Sequence, residues 1–326
     1  MSPLLEVRNI RTEFAVDDRH VGIVEDVSIS VDRGRTLCIV GESGSGKSML
    51  ALSLMRLLPA SGAVTEGQVL LDGEDLLDIG EEAMRRVRGR RVSMIFQEPM
   101  TSLNPVFTIG DQIAEAISSH DRAVRRSELE RRCLQVLRQV EMTDPERRLR
   151  QYPHELSGGM RQRVMIAMAL VTRPDILIAD EPTTALDVSV QAQILSLLRR
   201  LQADTGMGVI FITHDLGVVS EIADEVAVMY AGKVVERGFV RDVIGDPQHP
   251  YTIGLLGSVP ELDGPIKRLQ AIDGTVPASG NYPDGCRFHP RCVFATSDCK
   301  VQPPPLREMA SGHHVACLNA PLENLP

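Results

Sequence analysis

Residues Gly41–Ser48 have the composition and spacing of a phosphate-binding loop, G-x-x-x-x-G-K-S. They follow the apolar stretch LCIV and precede SMLALSLMRLL, the strand–loop–helix context that such a loop requires. The loop glycines let successive N–H groups face phosphate oxygens at the positive end of a helix. We expect Lys47 to reach the β- and γ-phosphates and Ser48 to offer its hydroxyl to Mg²⁺. The predicted nucleotide contacts here are Gly41, Glu42, Ser43, Gly44, Ser45, Gly46, Lys47, Ser48 and Met49.

A second candidate is the run ILIADE, in which two carboxylates follow four apolar residues. The apolar residues predict a buried strand, and ligands of α/β sheets bind at the carboxyl ends of such strands. Asp180 would hold Mg²⁺, and Glu181 would polarise the water that attacks the γ-phosphate. This ending is common by itself, but beside a phosphate loop it predicts ATP hydrolysis.

Between these two motifs lies Leu156-Ser-Gly-Gly-Met160, directly before the helical run RQRVMIAMALV. Ser157 is a good N-cap for that helix, and the two glycines leave its first N–H groups bare. The segment therefore predicts either simple helix capping or a further contact with phosphate.

Alternating strand and helix patterns extend to about residue 245, which predicts a largely parallel α/β sheet. The predicted strands are Leu4–Asn9, Leu37–Val40, Val69–Leu71, Val92–Phe96, Ile176–Ala179, Val209–Ile212 and Val226–Met229. The long gap between Phe96 and Asp175 is mostly helical in pattern. It predicts an inserted helical subdomain over about 98–172, whose clearest apolar face is Leu129, Cys133, Val136, Leu137 and Val140.

After Gly245 the chain becomes rich in proline and glycine, and PPPL at 303–306 cannot continue a helix or a central strand. We therefore expect residues 246–326 to form an irregular extension beside the domain at 1–245. Four of the six cysteines lie in this extension and could staple it.

The composition excludes several classes of protein. Hydrophobic residues are 43% and charged residues 24%, as in ordinary globular proteins. A net charge of −9, with 3% aromatic residues and no Trp, argues against nucleic acid as a partner. Neither a membrane span nor a secretory signal is visible in the sequence, so we expect a cytosolic location.

Together these motifs resemble the ATP-binding subunits of ABC transporters, since Ser157, Gly158 and Gly159 match the signature about twenty residues before the second motif. The resemblance implies an α/β P-loop NTPase cassette with a RecA-like core, a β-subdomain and the inserted helical subdomain. It also implies that the signature residues contact nucleotide.

Further positions match the family one by one. Gln97 matches the glutamine that senses Mg²⁺, Ala185–Asp187 the loop that crosses a dimer interface, and His214 the histidine that contacts the γ-phosphate. The resemblance thus makes Glu181, His214 and Gln97 catalytic, and Ser48, Gln97 and Asp180 the Mg²⁺ ligands. For the aromatic residue that stacks on adenine, Phe14 is the nearest candidate and His20 a substitute.

In this family each ATP lies between the first motifs of one subunit and the signature of another. FQEPMTSLNP, ADEPTTALDVSVQAQIL, VMYAGKVVE and HPYT resemble a narrower group, the dipeptide and oligopeptide importers. The resemblance implies a second, related ATPase in a heterodimer, two membrane permeases and an extracytoplasmic peptide-binding protein. It places the chain on the cytoplasmic face of the membrane and residues 98–104 in the groove that receives the permease's coupling helix, although these residues could equally form an exposed loop without function. The cargo could also be nickel, glutathione or modified peptides.

The extension's cysteines, Cys286, Cys292, Cys299 and Cys317, have the spacing C-x5-C-x6-C-x17-C. It is neither the paired spacing of zinc ribbons nor that of ferredoxins. Some importers of this group hold a [4Fe–4S] cluster, and the resemblance favours that ligand over Zn²⁺ or unliganded thiols. We expect Cys38 and Cys133 to be packing residues.

Two other functions compete with an importer ATPase. A soluble ABC ATPase of DNA repair or translation usually has two cassettes or large insertions in its chain, and neither is visible here. A regulatory module without turnover is opposed by the presence of Glu181 and His214.

Overall fold

A computed structural model describes residues 3–17, 19–97, 102–184, 186–258 and 272–322. Within these ranges no helix combines the length and the apolar character needed to cross a membrane.

The described strands and helices follow each other along most of the chain. The strands are β1 (Leu5–Val16), β2 (Arg19–Val31), β3 (Thr36–Val40), β4 (Gly62–Leu71), β5 (Glu74–Asp75), β6 (Val92–Ile95), β7 (Ile176–Asp180), β8 (Gly208–Thr213), β9 (Glu225–Tyr230), β10 (Lys233–Phe239), β11 (Arg307–Ala310) and β12 (His313–Val315). The α-helices are α1 (Lys47–Leu54), α2 (Glu81–Val87), α3 (Ile109–Ser118), α4 (Arg126–Gln139), α5 (Pro145–Arg148), α6 (Gly158–Leu170), α7 (Val188–Thr205), α8 (Leu216–Ile222), α9 (Val240–Gly245) and α10 (Pro250–Gly257). Every strand segment predicted from sequence overlaps one of these strands.

The chain divides into two compact units. The first comprises residues 1–31, 36–77 and 212–326, and the second comprises residues 32–35 and 78–211. The C-terminal residues 246–258 and 272–322 therefore belong to the first unit. The predicted boundary at residue 245 stays a prediction, as do the limits of the helical insertion.

An antiparallel sheet in the first unit has the order β2-β1-β4-β5. Leu5 and Val7 of β1 are buried on one face, and after a bulge the pattern resumes with Ile10 and Thr12. The buried hydroxyls of Thr12 and Ser53 are hydrogen-bonded at 2.7 Å. This contact fixes the sheet against α1, the helix that follows the phosphate loop.

The remaining strands of this unit have the order β11-β12-β10-β9-β3. All five residues of β3 are buried, as expected for a continuous apolar strand covered on both faces, and β3 runs parallel to β9. β10 pairs antiparallel with β12, with Glu236 opposite Val315. The described residues of the extension form few regular elements, as predicted, but nothing in the sequence indicated that β12 pairs with a strand before residue 246.

The second unit has parallel strands β6 and β7, paired with Val92 opposite Ile176, and helices α2 to α7. Thr108 and Asp111 form a capping box that starts α3. On α4 the buried side chains are Cys133, Val136 and Leu137. The predicted apolar face of that helix is therefore the face that packs.

Candidate nucleotide site

The phosphate loop connects β3 to α1. Gly41 directly follows β3 with φ +151°, and a Cβ atom there would lie 2.2 Å from the carbonyl oxygen of Met229. Only glycine avoids this overlap without moving β9. The loop therefore leaves the strand closely packed against a neighbouring backbone.

Lys47 is buried, and its ammonium group lies inside the curve of the loop. Nζ donates hydrogen bonds to the carbonyl oxygens of Gly41 and Glu42, at 2.7 and 2.9 Å, and lies 3.4 Å from Ser45 Oγ. Phosphate oxygens could replace these acceptors, because they bind an ammonium ion more strongly than neutral carbonyls do. Ser48 and Met49 follow, half-buried, in the first turn of α1.

The second motif lies in the second unit, where β7 is buried throughout and ends at Asp180. Glu181 follows with φ +46°, a backbone conformation that is uncommon for this residue type. Its Oε2 accepts hydrogen bonds from Gln97 Nε2 at 3.0 Å and from Thr184 Oγ1 at 2.9 Å. The structure thus brings together two of the three predicted catalytic residues and adds Thr184, which the sequence analysis missed.

The signature and the dimer-loop aspartate also lie close together in the second unit. Ser157 occupies the N-cap position of α6, but its side chain makes no capping hydrogen bond, so the expected cap is wrong in that detail. A Cβ atom on Gly159 would lie 2.8 Å from Cγ1 of Val190 in α7. Asp187 caps α7 by accepting a hydrogen bond from the Val190 N–H at 2.9 Å. The N-termini of α6 and α7 therefore pack against each other.

Two predicted residues lie elsewhere in the first unit. His214 is exposed between β8 and α8, and the ring of Phe14 lies over Gly62 on the neighbouring strand β4. Their predicted roles at the γ-phosphate and at adenine stay predictions.

Two predictions fall partly outside the described residues. Residues 98–101 of the permease groove and Ala185 of the dimer loop are not described. Asn104, at the end of the 98–104 segment, is fixed by the side chain of Gln112. Its N–H donates to Gln112 Oε1 at 2.9 Å, and its carbonyl accepts a hydrogen bond from Gln112 Nε2 at 3.0 Å.

A contact that the sequence analysis missed joins the phosphate loop to the C-terminal part of the chain. Arg291 forms a two-pronged ion pair with Glu42, with N···O distances of 2.6 and 2.9 Å. The Glu42 N–H donates to the hydroxyl of Tyr251 at 2.8 Å. Tyr251 belongs to the HPYT segment, which was the only sequence signal for this contact.

The four cysteines of the extension lie within electrostatic range of one another. Burial raises the pKa of Cys286, Cys317 and Cys292, the last to about 11, and neighbouring thiols contribute to each shift. Yet no three His, Cys, Asp or Glu side chains among the described residues are arranged to hold a metal ion. The geometry therefore does not support the predicted cluster or Zn²⁺. Cys38 and Cys133 are buried, as expected of packing residues.

Comparison with known proteins agrees with the motifs. Residues 24–184 match the ABC transporter family, and residues 235–299 match the family described as oligopeptide/dipeptide transporter, C-terminal region. The chain is 51% identical over 328 residues to a peptide import ATP-binding protein of Brucella melitensis, with 97% of each chain covered. It is 49% identical over 318 residues to the oligopeptide transport ATP-binding protein AppD of Bacillus subtilis, again with 97% of each covered.

Solved structures agree as well. The dimeric structure of the bacterial ABC transporter cassette MJ0796 matches with a TM-score of 0.65 and 28% identity, covering 73% of this chain and 99% of the other. This similarity, with the match of residues 24–184, confirms the predicted fold class.

Proposed function

This chain belongs to the ABC transporter ATP-binding proteins of the peptide and oligopeptide import type, and we propose that its motif residues hydrolyse ATP in the roles given below. It is the ATPase subunit of such an importer, and this membership implies ATP and Mg²⁺ as its ligands. The assignment of individual residues to steps is our proposal.

The phosphate loop binds the triphosphate. Lys47 exchanges its carbonyl acceptors for β- and γ-phosphate oxygens, and the N–H groups at the start of α1 complete the cradle. Ser48, Asp180 and Gln97 hold Mg²⁺, whose charge, when it is bound, offsets the negative charge that develops on the phosphates.

Glu181 takes the proton of the attacking water. Gln97 and Thr184 both donate hydrogen bonds to Oε2 of Glu181 and so fix the carboxylate. The other oxygen, Oε1, then accepts the proton of the water. His214 contacts the γ-phosphate. The observation that carries this assignment is the contact between Gln97 and Glu181, because it joins the residue assigned to Mg²⁺ with the residue assigned to water.

The test is Glu181→Gln, measured as phosphate release and, separately, as MgADP binding. Loss of the base should lower turnover by about 10²–10⁴-fold and leave MgADP affinity within about twofold. Glu82→Gln is a matched control, since Glu82 is an exposed carboxylate in an ion pair with Arg86 on α2. Turnover of the Glu181 variant equal to that of the control would contradict the assignment.

The same family resemblance supports a larger assembly. Residues 157–159 and Asp187 would contact the ATP of a second, related ATPase, forming a heterodimer on two permeases at the cytoplasmic membrane face. A peptide-binding protein on the other side would deliver the cargo. Co-purification with a different ATPase and two permeases is the expected result, whereas a complex with two copies of this chain and no other ATPase would contradict the heterodimer.

The cargo proposal is di- or oligopeptides, with nickel, glutathione and modified peptides as alternatives. Uptake of a labelled dipeptide by cells that depend on this chain should disappear in the Glu181→Gln variant. Loss of nickel uptake with intact peptide uptake would favour the alternative.

A [4Fe–4S] cluster, or Zn²⁺ in its place, stays a proposal that rests on the family resemblance. The thiols lie near one another, and the Cys286 N–H donates to the Cys299 carbonyl at 2.8 Å, but among the described residues no three ligands are arranged around a metal ion. Protein purified without air should contain iron at about four per chain and absorb visible light. About one zinc in a colourless protein would favour Zn²⁺, and neither metal would contradict both.

A further inference from the structure

Glu42 occupies a position of the phosphate loop where the motif accepts any residue. Nucleotide binding therefore places no demand on a glutamate there. Its carboxylate nevertheless receives both terminal nitrogens of Arg291, an arrangement that fixes direction as well as distance.

Arg291 is held by further contacts besides its ion pair with Glu42. Its side chain is 5% exposed, Nε donates to the Asp273 carbonyl at 2.8 Å, and Nη2 lies 3.2 Å from the Ile272 carbonyl. The guanidinium lies 5.7 Å from the centre of the Tyr230 ring. A buried arginine with this many fixed acceptors loses little freedom on pairing with a carboxylate.

Tyr251 holds the backbone of the same residue. Its ring is fully buried, with its centre 4.7 Å from that of Tyr230 and 5.4 Å from that of Phe288. Its hydroxyl accepts a hydrogen bond from the Glu42 N–H. Loss of this acceptor would cost the free energy of one hydrogen bond to the loop backbone. The start of α10 is fixed in turn, because the Tyr251 N–H donates to His249 Nδ1 at 3.1 Å.

The third polar group of Glu42, its carbonyl oxygen, accepts a hydrogen bond from Lys47 Nζ at 2.9 Å. Glu42 is thus fixed by its side chain and N–H to the C-terminal part of the chain and by its carbonyl to the lysine that meets the phosphates. A displacement of Glu42 would move an acceptor of Lys47.

We propose that Arg291 and Tyr251 are positioning residues for the phosphate loop, through which the C-terminal part of the chain sets the affinity of this site for nucleotide. The inference rests on the proposed nucleotide site. It predicts an effect on binding and not on the chemical step, since both residues act on Glu42 of the phosphate loop.

The test compares MgADP binding by the full-length chain, measured by calorimetry, in wild type and variants. Arg291→Ala should raise the dissociation constant about tenfold, because the loop loses a charge-assisted, two-pronged contact. Arg291→Lys should give an intermediate value, since it retains charge and loses the fork. Tyr251→Phe, which retains the ring, should give a smaller rise. The KM for ATP should rise in parallel with the dissociation constant, while kcat stays within about twofold of wild type.

Arg307→Gln is the matched control. Arg307 belongs to the same C-terminal part and donates to the carbonyls of Cys317 and Ala320, at 3.2 and 2.6 Å. This variant should lower the melting temperature without changing MgADP affinity. In a double-mutant cycle, Glu42→Ala with Arg291→Ala should weaken binding no more than the larger single change.

Three results would overturn the proposal: wild-type affinity in Arg291→Ala, equal loss in Arg307→Gln, or additive effects in the double variant. A wild-type chain without affinity for MgADP would instead contradict the proposed nucleotide site, and this inference with it.

Discussion

Gln97 donates a hydrogen bond to Glu181 across 84 positions of sequence, with 3.0 Å between Nε2 and Oε2. The two residues follow the parallel strands β6 and β7, so their side chains emerge at the same edge of the sheet. In this arrangement the amide is the donor and the carboxylate the acceptor. A change at Gln97 should therefore alter the proposed base directly.

Gln97→Glu should lower turnover more than Gln97→Ala does. Both variants lose the amide donor, which is worth about 1 kcal/mol, or roughly fivefold in rate. Glutamate also places a second carboxylate against Glu181, and this like charge raises the pKa of the pair and favours protonation of the base. The measurement is the pH profile of phosphate release, whose acidic limb should move further to higher pH in Gln97→Glu than in Gln97→Ala. Identical profiles would show that the contact does not affect the base.

The motifs predicted the strands that bear them because each signal is local. β3 and β7 are apolar runs, and their ends are marked by Gly41 and Glu181 within a few residues. Strand β2 was missed although its second half has a local signal, since the buried Val27, Ile29 and Val31 alternate with serines as in a half-buried strand. β12 was missed because its three residues are too few to show an alternating pattern and form a strand by pairing with β10 and β11.

The contacts around Glu42 could not be predicted, because the partners are 209 and 249 positions away. Charge pairing between distant residues leaves no periodicity in one sequence. The contact between Thr184 and Glu181 was not predicted for a different reason. The backbone turns at Glu181, where φ is positive, and the Thr184 hydroxyl donates to its carboxylate three residues back. Local spacing thus identified the motif residues, and tertiary contacts identified those that hold them.

Gly41→Ala should destabilise the fold and weaken nucleotide binding together. The new methyl group would lie 2.2 Å from the Met229 carbonyl, so the loop or β9 must shift. Overpacking of this kind costs about 1–3 kcal/mol. Gly80→Ala is the matched control, since nothing lies within 4 Å of its Cβ position. Urea unfolding of both variants measures the difference, and equal stabilities would contradict the close approach.

Asp187 serves two predicted purposes that a pair of variants separates. Its side chain caps α7, so Asp187→Ala should cost about 1 kcal/mol, and Asp187→Ser should restore most of it because serine is also a good cap. The role proposed at a dimer interface needs the carboxylate and should not be restored by serine. Stability is measured by urea unfolding and turnover in the assembled transporter. Full turnover in Asp187→Ser would leave the residue with a capping role alone.

Stability should depend on pH through a buried pair in the first unit. His313 Nε2 lies 2.8 Å from Glu236 Oε1, and the two side chains are 6% and 0% exposed. The hydrogen bond that His313 donates to Glu236 raises the pKa of His313 above its ordinary value, with Asp242 and Asp246 adding to the shift. Glu236 also accepts the N–H groups of Gln248 and His249, at 2.6 and 3.0 Å.

The raised pKa means that the folded protein binds this proton more tightly than the unfolded chain. The contribution of the His313–Glu236 pair to the free energy of unfolding is therefore complete below about pH 6.5. It is lost as pH rises through the folded-state pKa of His313. His313→Gln should cost about 1.5–3 kcal/mol at pH 6, as expected for a hydrogen bond between charged groups, and progressively less towards pH 9. Burial lowers the pKa of the adjacent His249 to about 4, so that residue stays neutral over this range.

Urea unfolding of wild type and His313→Gln at pH 6, 7, 8 and 9 measures this dependence under reducing conditions. His20→Gln, which removes an exposed imidazole from β2, controls for the loss of an ordinary histidine. The difference in free energy of unfolding between wild type and His313→Gln should shrink with rising pH. The corresponding difference between wild type and His20→Gln should stay near zero. A difference that is constant across the range would mean that His313 is neutral in the folded protein and contributes by packing alone.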